Sequence, residues 1–303
     1  MAWFTSGCTA LTVLDCANNQ LNNLNLSRYT ALKNFNCYGN QLTNLKVNDC
    51  TALEELLCPN NQINVLNVDG CVSLWRLDYS NNHLTDLNLH TNIALLSLSC
   101  SNNQLNRLDL SKNTALQFLW GSDNQLNNLN LSKNVILYGL DCSSNQLNSL
   151  NLNKNTLLSG LNCSSNQLNS LDLNKNTALS GLDCSNNQLN SLNLSKNTAL
   201  WDLDCSNNQL SHLDLSKNTA LWGLDCSNNQ LSALELTAKD ELVHLNCSNN
   251  QIVSLDVSES MYLISLNCFN NQSFVLQFLL SFLNLFYLQN LPSFNITTLY
   301  YCF

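Results

Sequence analysis

Fifteen cysteines and four histidines are the residues of this 303-residue chain whose chemistry could reach beyond packing. Thiols can form disulfides, ligate zinc or cycle redox equivalents, and each use demands its own spacing. Eleven of them, Cys16, Cys37, Cys58, Cys100, Cys142, Cys163, Cys184, Cys205, Cys226, Cys247 and Cys268, stand at multiples of 21 residues from one another. If successive 21-residue units stack as strands in register, neighbouring Cβ atoms lie about 4.8 Å apart, slightly beyond the ~3.5–4.5 Å of a relaxed disulfide. A tetrahedral zinc site needs ligands converging from several directions, which one linear column cannot supply. Thiols packed as small hydrophobes fit better, and so many free thiols imply that the repeats do not rely on oxidative folding. Cys8, Cys50 and Cys71 fall in a second column, where Cys50 and Cys71, on adjacent units, are the one pair to test for a bridge.

Catalysis finds little else to work with. His83, His90, His212 and His244 lie in separate columns or distant units and place no base beside an exposed nucleophile. No Gly-rich phosphate loop, metalloprotease motif or paired-carboxylate site is visible. The expectation is a chain that is not an enzyme, with no catalytic residue, no metal and no cofactor.

The elements that would position these residues follow from the period. Leu14, Phe35, Leu56, Leu77, Leu98, Leu119, Leu140, Leu161, Leu182, Leu203, Leu224, Leu245 and Leu266 are each 21 residues apart, and the residue five positions after each is Asn, from Asn19 and Asn40 to Asn250 and Asn271. Within one unit the apolar positions are Leu182, Cys184, Leu189, Leu192, Leu194 and Leu200; the pairs spaced by two are strand signatures. The intervening Ser-Asn-Asn-Gln and Ser-Lys-Asn-Thr segments are poor in helix formers. Each unit also divides into two near-copies of ten and eleven residues, which predicts two short strands per coil. One coil cannot bury its own Leu face, but stacked coils share a continuous core, so neighbour contacts supply the stability. The Asn column turns the chain after the first strand, its amide satisfying backbone groups that the bend leaves unpaired.

These columns carry a family resemblance. Leu179, Leu182, Cys184, Asn187 and Leu189 match the signature L-x-x-L-x-L-x-x-N-x-L, and over residues 8–272 the chain resembles the leucine-rich-repeat superfamily, most of all the short, nested 21-residue class of bacterial proteins related to internalins. The resemblance implies a leucine-rich-repeat solenoid: right-handed stacked coils with parallel β-strands and little or no regular helix. It places the Cys column where the family has Leu, and makes Cys for Asn at positions 8, 50 and 71 a known family alternative. It further implies a bacterial surface, secreted or host-interacting protein, although residues 1–8 contain neither the basic nor the apolar stretch of a secretory signal. Because Cys8-Thr9-Ala10-Leu11 is already in register without a polar cap, a segment missing upstream is one expectation.

Composition narrows the partner. Net charge is -9 and charged residues are 11% of the chain, so no basic face is available for a nucleic-acid backbone. In a repeat array the inward columns specify the fold, and information about a ligand must lie in outward positions that differ between coils. Most are monotonous Asp, Asn and Ser; Asp141, Asp183, Asp204 and Asp225 form a mildly acidic stripe, read as a solvated strand face or as an attraction for cations or a basic partner. The exceptions cluster in coils three to six, where Glu54, Glu55, Leu57, Trp75, Arg76, Tyr79, Phe118 and Trp120 replace the small polar consensus. Glu55, Leu57, Trp75, Arg76, Phe118 and Trp120 are the candidate ligand-binding residues, aromatics plus Arg being the composition of interaction hot spots; degeneracy of early coils is the alternative. Trp201 and Trp222, with Tyr138 in the same column, are expected to pack over the coil edge.

After Gln272 the pattern fails. Residues 273–288 are an apolar run without Lys or Arg, so residues 1–272 read as the solenoid of thirteen coils and residues 273–303 as a separate segment. That segment is open to three readings: a helix capping the solenoid, a membrane anchor, the one route to a membrane here, or out-of-frame translation of a further repeat. The function expected is a binding scaffold that recognises a protein or a surface glycan on an exposed sheet face. The alternative is a ladder protein binding a periodic surface such as ice or a crystalline polymer, which would need uniform outward rows.

Overall fold

The computed structural model describes residues 8–272 and 275–277. The chain divides into two units, Met1–Leu158 with Ser165–Gln167, and Ser159–Ser164 with Leu168–Phe303. The described part of each unit is a β-solenoid built from the 21-residue repeat, and no helix occurs among the described residues. The leading strand of each coil recurs seven times in the first unit, from Val13–Asp15 to Gly139–Asp141, and six times in the second, from Gly160–Asn162 to Ser265–Asn267. Within each unit these strands pair parallel with a step of 21, as in Val13↔Asn34 and Gly181↔Asp202. The middle residue of each strand, the repeat's Leu, faces the core and its two neighbours face outward, as period-two alternation requires. Leu182, Leu189, Leu192, Leu194 and Leu200 are all buried, as is Cys184.

Two asparagines do different work at the turn that follows each strand. The first adopts a left-handed backbone, for example φ +54° at Asn60 and +53° at Asn207, with Gly39, Asp123, Ser144 and Ser165 taking the same position in other coils. Gly tolerates this region because it has no Cβ to clash, and Asn and Asp because their short polar side chains hydrogen-bond locally and offset the cost. The next residue is the invariant buried Asn. Asn208 accepts the backbone N–H of Leu189 at 2.9 Å and donates to Cys205 O in its own turn at 3.1 Å and to Cys184 O one coil earlier at 3.0 Å. Asn82 repeats this in the first unit, with Ile63 N–H, Tyr79 O and Cys58 O. A single side chain thus closes its own bend and ties it to the preceding coil.

A second ladder occupies the other corner of the coil. Asn113 donates to Leu89 O at 3.1 Å and to Asn92 O at 2.9 Å, and Asn218 donates likewise to Leu194 O and Asn197 O. Here the amide oxygen has no role: those of Asn92, Asn113, Asn134, Asn197 and Asn218 are buried without a hydrogen-bond partner. Cys50 and Cys71 fill the same column, and their thiols donate to Leu26 O and Val47 O, each at 3.2 Å, the carbonyls 24 residues back that an Asn would have reached. A slot that needs only a donor accepts Cys in place of Asn.

The pair of strands expected in every coil is found in some coils and not in others. Second strands occur at Asn23–Asn25, Asn44–Lys46 and Leu66–Asn67 in the first unit, and at Ser254–Asp256 and Val275–Gln277 in the second. Four of these five segments belong to coils whose second slot is Tyr29, Cys50, Cys71 or Ser260, and no coil with Asn in that slot has one. An Asn amide has two donors and bridges coils through two carbonyls, so where it is present the inter-coil bonding at this corner runs through the side chain. Val275–Gln277 pairs with Ser254–Asp256 in the repeat's register, Leu255↔Leu276. The rest of the apolar segment, with the cap, anchor and out-of-frame readings attached to it, lies outside the described residues, as do residues 1–7.

Lys239 is the misfit of the second column. It is buried in an Asn slot with its ammonium donating to Thr237 O at 3.3 Å, and burial lowers its pKa despite Asp214 and Asp240 nearby.

Two stability predictions follow from the columns. Asn208→Ala strips the Leu189 N–H and two coils' carbonyls of their partner and is expected to cost about 3 kcal/mol, whereas Asn113→Cys keeps a donor and removes an orphaned oxygen, staying within about 1 kcal/mol of wild type. Urea unfolding of the two variants separates them; equal losses would mean that the columns are not distinct. Lys239→Asn restores the ladder and should stabilise by about 1–2 kcal/mol at pH 7. With a folded pKa below the unfolded value of about 10.4, the lysine's cost is full at neutral pH and fades as pH rises toward that value. The advantage of the variant should therefore shrink above pH 9, and a constant difference would count against this account.

Candidate functional site

Outward residues of the first unit's strands form two rows. One runs Asn34, Glu55, Arg76, Ser97, Phe118, Gly139, and the other Asn36, Leu57, Asp78, Ser99, Trp120, Asp141. Glu55 and Arg76 are direct cross-strand neighbours, with Nη1 4.0 Å from Oε2; Lys33 and Glu54 pair at 2.9 Å alongside. Such exposed pairs contribute about 0–1 kcal/mol and leave an Arg available at the surface. One coil of serines, Ser97 and Ser99, then separates the charged pair from the aromatics.

Phe118 and Trp120 flank Leu119 on one strand, and their rings stack with centroids 5.6 Å apart and planes 9° from parallel. Tyr138, from the next coil, joins at 6.4 Å and 27°. Phe118, Trp120 and Tyr138 are 38%, 42% and 45% exposed, so the platform meets solvent. Gly139 makes it possible: a Cβ there would stand 3.0 Å from Cδ1 of Phe118, so the glycine is the floor on which that ring lies. Trp75 is half-buried one position before its strand, where its carbonyl receives the N–H groups of Leu96 and Ser97. Leu57 is half-buried. Tyr79 does not share this face; it is fully buried, because it occupies the inward Cys column, in which it and Gly121 replace the thiol. Tyr138 is the member that its column alone does not reveal. The signal for it is the glycine beside it, in the same outward row as Phe118 and one coil on.

The acidic stripe has a structural task. Asp141, Asp183, Asp204 and Asp225 each accept the N–H of the Ser two residues on, at 2.9–3.0 Å, closing the start of the turn. Cys142, Cys184, Cys205 and Cys226 pack inward and are fully buried, and Cys50 and Cys71 form no disulfide. Burial raises the pKa of Cys100 and Cys247 to about 12 and that of Cys16 and Cys268 to about 11. Among the described residues no three His, Cys, Asp or Glu side chains are grouped to hold a metal ion, and no helix is long and apolar enough to cross a membrane.

The raised thiol pKa values set a pH dependence. Below about pH 7.5 these thiols are protonated in both folded and unfolded chains. Above it the unfolded chain ionises while the folded one cannot until pH 11–12, so stability should fall steeply between pH 9 and 11. Urea midpoints across that range test this, and a flat profile would contradict it.

No protein-family model and no curated protein matches the chain. Solved structures do. The functional domain of InlJ from Listeria monocytogenes, which includes a cysteine ladder, is 34% identical over 87% of this chain, with a TM-score of 0.76. The chain spans 64% of that domain's length. An internalin, InlF, from Listeria monocytogenes is 22% identical, matching 89% of this chain and 82% of its own at a TM-score of 0.80. A leucine-rich-repeat protein of Leptospira interrogans is 22% identical, matching 84% and 74% of the two chains at 0.77. These neighbours are bacterial leucine-rich-repeat proteins, and the fold they share is that of this chain.

Proposed function

We propose that this chain, a leucine-rich-repeat solenoid of the short 21-residue class, is a non-catalytic scaffold that binds another protein on the outward face of its first-column strands. The contact is the Phe118–Trp120–Tyr138 platform together with Arg76, held by Glu55. The observation that carries the reading is the exposed ring stack backed by Gly139. Apolar surface left in water costs roughly 25 cal/mol per Å², and three such rings on adjacent coils are a standing incentive to bury them against a partner. They project from strands locked by the Asn ladder, so little side-chain and backbone freedom remains to be lost on association. Aromatics with an Arg nearby are the residues that dominate measured interfaces.

A periodic-surface ligand fits less well. The outward row Asn34, Glu55, Arg76, Ser97, Phe118, Gly139 changes chemistry at each step, and an ice or polymer lattice would meet no repeated group there. A glycan could stack on the rings, but the ion-paired Arg76 suits an acidic or aromatic protein side chain better.

Immobilised wild type and Phe118→Ala/Trp120→Ala, presented with extracts from host cells and from the source cells, test the reading. Loss of two central aromatics should weaken the recovered protein partner about 30-fold or more, Arg76→Ala should weaken it less, and Asn127→Ala, at an exposed position in the second half of the Phe118 coil, should not. Equal recovery on wild type and the double variant would remove the platform from the interface, and thermal hysteresis by the wild type would favour the ladder alternative.

A further inference from the structure

The second unit has an aromatic row of its own, with different electrostatics. Trp201 and Trp222 stand immediately before the strands Asp202–Asp204 and Gly223–Asp225 in adjacent coils. Their ring centroids are 6.1 Å apart with planes at 57°, and the imidazole of His244, one coil further, meets Trp222 edge-on at 4.6 Å and 75°. The two indoles are 46% and 43% exposed, so the coil-edge packing expected for them leaves nearly half of each ring open to solvent.

Carboxylates line the strands that follow these rings. Asp202 follows Trp201 directly and its carboxylate lies across Gly223, with Oδ1 2.6 Å from where a Cβ would stand. The missing side chain is what lets this carboxylate lie over the strand that follows Trp222. Asp204 and Asp225 continue the negative surface on the outward faces of these strands, and Asp183 does so on the preceding one. Four ion pairs exist among the described residues, and all four are in the first unit; none involves these aspartates. Burial, then the neighbouring Asp183, raises Asp202 above the usual carboxylate range, and burial also raises Asp204, flanked by Asp183 and Asp225. The charge here is mutually repelling and has no ion-pair partner among the described residues.

We propose that this surface docks a basic segment of a partner protein, an Arg or Lys side chain lying against Trp201 and Trp222 with its charge met by Asp202 and Asp204. Both halves of the site select the same sign. An indole face attracts a cation through its quadrupole, and carboxylates that repel one another are relieved when a cation is placed among them. A neutral sugar would use the rings and leave the repulsion standing; an anionic ligand would increase it. The site belongs to the second unit and is independent of the platform at Phe118 and Trp120.

The probe is an acetylated, amidated peptide of four arginines alternating with glycines, titrated calorimetrically into the whole chain. Its controls are the same peptide with citrulline for arginine and a neutral hexasaccharide, cellohexaose. Trp201→Ala/Trp222→Ala, which leaves net charge unchanged, should weaken the arginine peptide at least tenfold. Asp202→Asn/Asp204→Asn should do the same while keeping the turn acceptor at position 204, and Phe118→Ala/Trp120→Ala should have no effect. Far-UV circular dichroism and the urea midpoint establish that each variant is folded. The citrulline peptide should bind at least tenfold more weakly than the arginine peptide. Four results would overturn the proposal: no binding of the arginine peptide at millimolar concentration, equal affinity of the tryptophan variant and wild type, which would indicate bulk attraction to an acidic chain, equal binding of the citrulline peptide, or tryptophan-dependent binding of cellohexaose in preference to the arginine peptide.

Discussion

One buried asparagine per coil holds the geometry on which everything else in each unit depends. A turn of a β-solenoid must reverse direction inside an apolar core, where an unpaired N–H or C=O costs about 1–3 kcal/mol. The first-column Asn meets that demand with one acceptor and two donors, and directs part of its capacity to the preceding coil. Closing a bend and setting the step to the next strand are therefore the same act. Ser, Thr or Asp in that column lack either the donors or the reach, which accounts for its uniformity while the residue before it varies among Asn, Asp, Ser and Gly.

The second corner shows what happens when the demand is smaller. It requires a donor toward one or two carbonyls and no acceptor, so Asn is tolerated with its oxygen orphaned, and a thiol is tolerated too. Tyr29, Ser260 and the buried Lys239 occupy the same column. A looser chemical requirement produces a looser column, and backbone ladders at this corner form in most of the coils where the side chain carries less of the bonding. The cysteine column is the most permissive, requiring neither a donor nor an acceptor: Tyr79 and Gly121 enter it without breaking strand register on either side.

The period made the inward half of the structure legible because burial is close to all-or-none. Once Leu182, Cys184 and Asn187 are known to recur every 21 residues, parallel stacking is the one arrangement that buries them together. The same reasoning said less about the outward half. Period alone picks out Glu55, Arg76 and Phe118 as exceptions to the consensus but does not show the serine coil between the charged pair and the rings. It counted Tyr79 among the surface exceptions, although the column two after the anchor Leu faces inward. It set Tyr138 with Trp201, whereas the ring leans toward Phe118. The second strands expected in every coil depend on whether a side chain or the backbone bridges the corner, which the spacing of Leu cannot tell.

Outward side chains elude periodic reasoning for a physical reason that also makes them informative. Their positions are chosen by neighbours one coil away, and in both aromatic rows that neighbour is a glycine. Gly139 receives Phe118, and Gly223 receives Asp202. Glycine weakens a strand by roughly 0.5–1 kcal/mol relative to alanine, a cost that the fold does not require, since Ser, Asp, Glu, Arg and His occupy the same row elsewhere. At these two positions the lost side chain clears the space in which a ring or a carboxylate lies flat against the sheet. A glycine in an outward row beside a bulky neighbour therefore marks a coil where surface shape has been favoured over strand propensity, and on a scaffold whose interior is nearly uniform, surface shape is where one partner is told from another.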